Sequence, residues 1–349
     1  MIFTSDNWAG AHPAVAASLS AHSTGFAPAY GASDLDRKVE AKFNEIFERD
    51  VAVFFVGTGT AANSLALSAI NRPGGVSFCH REAHVIADEC GAPEFFSHGS
   101  RLVPVDGADG KMDPGNLERE IARFPAGFVH AGQPMAITLT QATEAGTVYT
   151  AEEIRTLSTI ARAHGLPLHM DGARFANALV ALDLTPAQMT HELGVDIVSF
   201  GGTKNGCWCA EALVFLDPAM AVQAPFIRKR AAQLFSKSRF IAAQFDAYFE
   251  NDLWLDVARH ANAMAARLQA GIENSSKARL AWQSPANETF PIVLKSLAKD
   301  LSGKGALFYE WAPPRSATHL VGEDETMLRL VTSFATTEEH VDQFVDLLR

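Results

Sequence analysis

Basic charge is in deficit in this 349-residue chain: 29 Lys and Arg against 40 Asp and Glu leave a formal net charge of −11. A surface with that balance repels polyanions, which excludes a general nucleic-acid binder and a protein that coats anionic membranes. Long apolar runs are missing too. The longest, such as Val51 to Val56, are strand-sized and far short of the ~20 residues a membrane helix needs. The opening residues, MIFTSDNWAGAHPAV, contain neither a basic segment nor an apolar stretch of the secretory kind, so a cytoplasmic protein is expected. Cysteine is scarce: Cys79, Cys90, Cys207 and Cys209 have neither disulfide-framework nor zinc spacing, and they read as reduced thiols with no metal to hold.

What is present is a composition of 48% hydrophobic and 20% charged residues, that of a globular protein with a sizeable core. Its pattern alternates. Ser33 precedes a helical face of Leu35, Val39, Phe43, Ile46 and Phe47, and Val51 to Val56 reads as a buried strand. Gly57-Thr58-Gly59-Thr60 turns into a helix that Arg72-Pro73-Gly74-Gly75 ends, and Val76 to Cys79 is a short strand. Arg101 to Val105 is another strand, Asp113-Pro114 opens a helix, and strands are expected near 127–131 and 136–140. Thr150 and Glu153 have capping-box spacing, Pro167 to Met170 is a strand ending on Asp171, and Val195 to Phe200 is a strand ending before Gly201. A long helical stretch over roughly 225–250 leads to strands near 290–294 and 327–334. Such alternation implies an α/β fold with a mostly parallel central sheet, followed by a smaller α+β domain. The expected division is an N-terminal arm over 1–32, a large domain over 33–250 and a small C-terminal domain over 251–349.

Four features sit where such a sheet places its chemistry. Val56 to Asn63 is a strand that breaks into a Gly/Thr turn and enters a helix, which aims N–H groups and hydroxyls at an anion; an ordinary strand-to-helix turn has the same look. Asp171-Gly172-Ala173-Arg174 stands at a strand end, where the Asp can meet a protonated heterocycle nitrogen, although a capping Asp with a surface Arg is the plainer reading. Lys204 follows Gly201-Gly202-Thr203 directly after an apolar strand, an unusual place for a solvated lysine. His84 follows the Val76 to Cys79 strand, and a lone His has an even chance of being without chemistry. Phosphate turn, His, strand-end Asp and then Lys resembles the order in pyridoxal 5'-phosphate (PLP) enzymes of the aspartate aminotransferase-like fold, a cofactor that needs an anion site, a stacking residue, an acid at the ring nitrogen and an amine for the aldehyde.

The sequence resembles the low-specificity L-threonine aldolases of the β-eliminating lyase group. The likeness rests on Thr4-Ser5-Asp6-Asn7, Ala29-Tyr30-Gly31-Ala32, Gly57 to Asn63, Glu82-Ala83-His84 with Glu89, His169 to Arg174 with Asn177-Ala178, and Arg329-Leu330-Val331-Thr332. It departs from the family in Gly-Gly-Thr-Lys-Asn-Gly around the lysine and in Ala231 to Arg239, which puts substrate preference in question more than reaction type.

The resemblance implies the aspartate aminotransferase-like fold of PLP-dependent transferases, with PLP on Lys204, and retro-aldol cleavage of an L-3-hydroxy-amino acid to glycine and an aldehyde. It implies Asp171 at the ring nitrogen, Gly59, Thr60 and Thr203 at the phosphate, and His84 over the ring, with His84 or His130 as base. It implies Arg174 at the cofactor's phenolic oxygen or the substrate carboxylate, Arg329 and Ser5 on that carboxylate, Tyr30 at the substrate, and a homodimer or homotetramer. Cys207 and Cys209, on what is expected to be the next strand, read as packing residues, and Lys237 and Arg239 as a solvated helix face. The alternatives are another PLP lyase, a racemase or a hydroxymethyltransferase on this fold, and an α/β protein that binds a phosphorylated ligand without catalysis.

Overall fold

The alternation of strand and helix is realised in a computed structural model that describes residues 1–349. After one turn at Asp6–Trp8 and helix α1 (Pro13–Ala21), the amphipathic segment folds as α2 (Asp34–Ile46). Its N-terminus is closed by a reciprocal cap between Ser33 and Asp36. The apolar run becomes β1 (Ala52–Val56), and the Thr58 hydroxyl caps α3 (Gly59–Ala69), which ends before Pro73. β2 (Gly75–His80), α4 (His84–Ala87), α5 (Ala92–Phe96) and β3 (Arg101–Val105) follow. Asp113 and Pro114 begin α6 (Pro114–Ala122), and β4 (Gln133–Thr140) precedes α7 (Ala151–Ala163), whose Thr150–Glu153 capping box forms as its spacing predicts. β5 (Leu168–Gly172), α8 (Phe175–Leu182), α9 (Pro186–Met189), β6 (Ile197–Gly201) and β7 (Glu211–Phe215) complete this part of the chain.

These seven strands form one sheet in the order β1-β7-β6-β5-β4-β2-β3. Only β7 runs against its neighbours, so the carboxyl ends of β1 and β6 lie beside its first residue. β2, β5, β6 and β7 are buried at every position, as strands covered on both faces must be. On one face Phe43 of α2 stands edge-on to Phe200 at 5.2 Å and to Phe245 and Phe249 at 5.5 and 5.1 Å.

Helices α10 (Ala224–Arg230), α11 (Arg239–Phe249) and α12 (Leu253–Glu273) lead to a second, antiparallel sheet. It comprises β8 (Ala278–Leu280), β9 (Glu288–Thr289), β10 (Pro291–Leu294), β11 (Tyr309–Trp311) and β12 (Glu325–Val331), with α13 (Lys295–Gly303) and α14 (Glu338–Leu347) packed on it. The first residues of the chain join this unit. Phe3 N–H donates to Leu307 O at 2.8 Å, Val331 N–H donates to Phe3 O at 2.9 Å, and the Phe3 ring meets Phe344 edge-on. No helix is long and apolar enough to cross a membrane.

Three local expectations fail. Residues 127–131 form a turn rather than a strand, because Gly127 takes a left-handed φ of 77° and Phe128 N–H bonds back to Pro125 O. The helix expected over 225–250 is two helices: Ala232 adopts φ 58°, and residues 231–238 fold back over the phosphate turn, where Gln233 accepts from Gly57 N–H at 3.0 Å. Cys207, Trp208 and Cys209 lie in the loop before β7, where Gln244 Oε1 accepts from the N–H groups of Trp208 and Cys209; all four cysteines are unpaired. Lys237 stands in the turn before α11, and Arg239, its first residue, donates to Gly25 O at 3.0 Å.

Candidate active site

The carboxyl edge of the parallel strands is where an open α/β sheet holds ligands. There the turn after β1, the start of α4, the end of β5 and the turn after β6 enclose a cavity of about 270 Å³. It is lined by Gly57, Thr58, Gly59 and Thr60, by Asn63, His84 and Glu89, by Asp171 and Ala173, and by Asn7, Thr203, Lys204 and Glu211. His84, Asp171, Thr203, Lys204, Gly59 and Thr60, singled out from sequence, therefore share one space.

Glycine sets the approach of one of these loops. A side chain at Gly201 would place its Cβ 2.5 Å from Ala173 O, so only glycine lets the Lys204 turn lie against the strand end that carries Asp171. At Gly59 a Cβ would meet nothing within 4 Å, because that residue faces the open cavity at the first turn of α3. The free N–H groups of that turn and the helix dipole point at whatever occupies it.

Asp171 is 2% exposed. One carboxylate oxygen accepts from Asn63 Nδ2 at 2.9 Å and the other from Ala173 N–H at 3.1 Å. Burial raises its pKa, reinforced by Glu89 and opposed by His84, Asn63 and Lys204. Asn63 Nδ2 also donates to Glu89 Oε1 at 2.8 Å, and the same oxygen lies 3.0 Å from His84 Nδ1. The bond to Glu89 raises the His84 pKa, against the effect of burial. A carboxylate on Nδ1 fixes that nitrogen as the donor, so neutral His84 presents Nε2 as an acceptor.

Arg174 and Arg329 stand outside the cavity lining, in one buried charge network. Arg174 donates from Nε and Nη2 to Asp6 at 2.8 and 3.1 Å, and its Nη1 lies 3.3 Å from Glu288 Oε2. Arg329 donates to Glu288 and lies over the Trp311 ring at 4.8 Å. Burial pushes the Asp6 carboxyl up, but the Arg174 and Lys204 charges overcome it and hold the pKa at about 2.

Three further candidates lie away from the cavity. His130 is exposed, in the turn that precedes β4, and so at the opposite end of that strand from Asp171's edge; its ring packs edge-on against Phe128. Eight residues of strand separate the two edges, on the order of 25 Å. The turn at 127–131 leaves His130 outside the cavity lining. Ser5 caps the turn at Asp6–Trp8 by accepting from Asn7 N–H, and Tyr30 is 55% exposed with the Lys229 ammonium over its ring. Sequence reasoning missed Glu211, Glu288 and Asn287. Glu211 starts a short strand with no motif around it, and the other two act through contacts some 40 to 280 positions away in sequence, with Arg329 and Asp6.

A family model described as beta-eliminating lyase matches residues 3–290. The chain belongs to this family. Two relatives named low specificity L-threonine aldolase, from Pseudomonas sp. and Pseudomonas aeruginosa, are each 38% identical over 328 residues, covering 94% of both chains. The solved structure of Leishmania major threonine aldolase superposes with a TM-score of 0.91 at 30% identity, covering 99% of this chain and 98% of that one. A serine palmitoyltransferase from Sphingomonas wittichii, 14% identical, shares the fold with a TM-score of 0.72. The beta-eliminating lyase chain thus has the PLP-dependent transferase fold, built on a mostly parallel sheet.

Proposed function

We propose that the chain is a PLP-dependent aldehyde-lyase that cleaves L-3-hydroxy-amino acids, L-threonine and L-allo-threonine among them, to glycine and an aldehyde. The observation that carries this reading is the meeting of Lys204, Asp171, His84 and the α3 turn in one cavity. The residues fit PLP. Asp171 is a buried carboxylate whose pKa is raised by burial and by the neighbouring Glu89, and a protonated ring nitrogen beside it would offset that cost. Gly59 leaves open space at a helix start, where a phosphate belongs.

Bound there, the cofactor supplies an aldehyde that condenses with amines and a protonated ring that accepts electrons. Lys204 would anchor it through its side-chain amine, in the place that an amino group of the substrate can also take. Asp171, held on both oxygens, keeps the proton on the ring nitrogen. Gly59, Thr60 and Thr203 hold the phosphate and so fix the ring position without taking part in bond breaking. His84, oriented by Glu89, would take the β-hydroxyl proton of the substrate at Nε2. Arg329 and Arg174 would hold the substrate carboxylate and so fix the orientation of the substrate.

The three-part division at residues 32 and 250, a cytoplasmic location and a homodimer or homotetramer belong to the same reading. Exposed aromatic side chains at Trp8, Phe26, Tyr30 and Trp208 support contact between copies. Incubation with PLP and L-threonine, L-allo-threonine or L-phenylserine tests the function. Equimolar glycine and aldehyde are expected; ammonia with a 2-oxo acid, 2-oxobutyrate from threonine or phenylpyruvate from phenylserine, would replace the retro-aldol by elimination.

A further inference from the structure

Three carboxylates line the cavity, and two of them share Asn63. The third, Glu211, is the first residue of β7, and its position follows from strand direction. Because β7 is antiparallel to both neighbours, Glu211 pairs with Val56 on one side and Gly201 on the other. Those are the last residues before the phosphate turn and the Lys204 turn. Leu213 and Phe215, two and four residues on and therefore on the same face, pack with Val56, Ala62 and Leu65. Glu211 consequently lies on the α3 side of the sheet, by the turn from which that helix starts.

The side chain is 6% exposed and makes one hydrogen bond, accepting at Oε1 from Thr203 N–H at 3.3 Å. It is in no ion pair, and Lys204 is the one lysine or arginine in the cavity lining. A phosphate in this cradle offers only acceptor oxygens, and an ionised carboxylate beside it in a space this dry would repel it. A carboxylic acid would instead donate.

On the reading above that the cavity holds PLP, we propose that Glu211 is a ligand of the cofactor's phosphate and binds it as a neutral acid, donating a hydrogen bond to a phosphate oxygen. Burial raises the pKa of this group to about 7, so the acid form is accessible in the working range. The charged and titratable groups that face it are few. Lys204 lowers its pKa and Asp171 raises it; the buried thiol of Cys207, the half-buried Cys209 and the Tyr248 hydroxyl of α11 complete its surroundings. α3 and β1 carry no titratable side chain. An incoming phosphate dianion raises the pKa further, so binding takes up a proton above pH 7.

The test compares dissociation constants of PLP and of pyridoxal, which lacks the phosphate, on enzyme stripped of cofactor, between pH 7 and 9. Near-visible absorption reports both. In the wild type the advantage of PLP over pyridoxal falls by up to about tenfold per pH unit across this window, the slope of one linked proton. Glu211→Gln, a permanent donor, keeps the advantage and removes its pH dependence. Glu211→Ala lowers the advantage by about tenfold at pH 7 and leaves it flat, while its pyridoxal affinity stays at the wild-type value because the ring site is intact. A wild-type advantage that does not change with pH, or the same slope in Glu211→Gln, would overturn the assignment. Failure of both ligands to bind the wild type would overturn the cofactor reading itself.

Discussion

Glu288 accepts a hydrogen bond on one oxygen from Arg329 Nε at 2.8 Å, with Nη2 of the same guanidinium 2.6 Å away, while its other oxygen lies 3.3 Å from Arg174 Nη1. One buried carboxylate thus sets the spacing of two guanidinium groups. Arg329 Nη1 is not engaged by Glu288 and is the atom proposed to meet the substrate carboxylate. A lysine at this position can satisfy Glu288 or the substrate carboxylate, and it cannot present a planar fork to both. Arg329→Lys should raise KM for L-threonine by about 10- to 100-fold and lower kcat, with PLP binding unchanged, in steady-state assays and a cofactor titration. Wild-type constants would place the carboxylate elsewhere.

Glu89 tunes the base. Its bond to Nδ1 raises the His84 pKa, so the neutral, proton-accepting form appears only above that raised value. The acid limb of the kcat/KM profile should follow His84. In Glu89→Gln the charge is gone, the pKa falls, and the limb should move to lower pH with a lower plateau rate. His84→Ala should lose on the order of 10²- to 10⁴-fold in kcat. An unmoved limb would separate Glu89 from the titrating group.

Asp171→Asn keeps the shape and removes the charge proposed to hold the ring nitrogen protonated. Turnover should fall at least ~100-fold, the scale of losing one preorganised electrostatic contact, while thermal unfolding changes little. An unchanged kcat would remove Asp171 from the reaction.

Asp6 links the start of the chain to Arg174. Its folded pKa of about 2 lies below the ordinary 3.8, so its contribution to stability is complete above that ordinary value. It is lost as pH falls from about 4 through about 2. Asp6→Asn leaves Arg174 half-paired in the interior and should cost about 3–5 kcal/mol in urea unfolding at pH 7. The cost should shrink at pH 2.5, where the wild type has lost much of the same interaction.

Long apolar segments with turn residues at their ends were legible in the sequence because burial on both faces leaves that pattern, as at β1, β5 and β6. β8, β9 and β11 were not legible, since two or three residues make no period. The break at Ala232 escaped because no glycine or proline marks it; it is fixed by Gln233 and by Phe235, whose ring packs on Gly57. In the site, Lys204, Asp171, His84 and the phosphate turn could be read because each follows a strand. Glu211 and Glu288 could not, because what gives them meaning is strand pairing. The strand expected before His130 failed because that segment has strand composition but Gly127 turns it back.

Borohydride reduction of the protein loaded with PLP, followed by peptide mass mapping, tests directly whether Lys204 carries the cofactor. A single pyridoxyl phosphate adduct on Lys204 is predicted, absent from Lys204→Ala, which should still bind PLP through its phosphate and ring contacts. An adduct on another lysine, or none at all, would contradict the account.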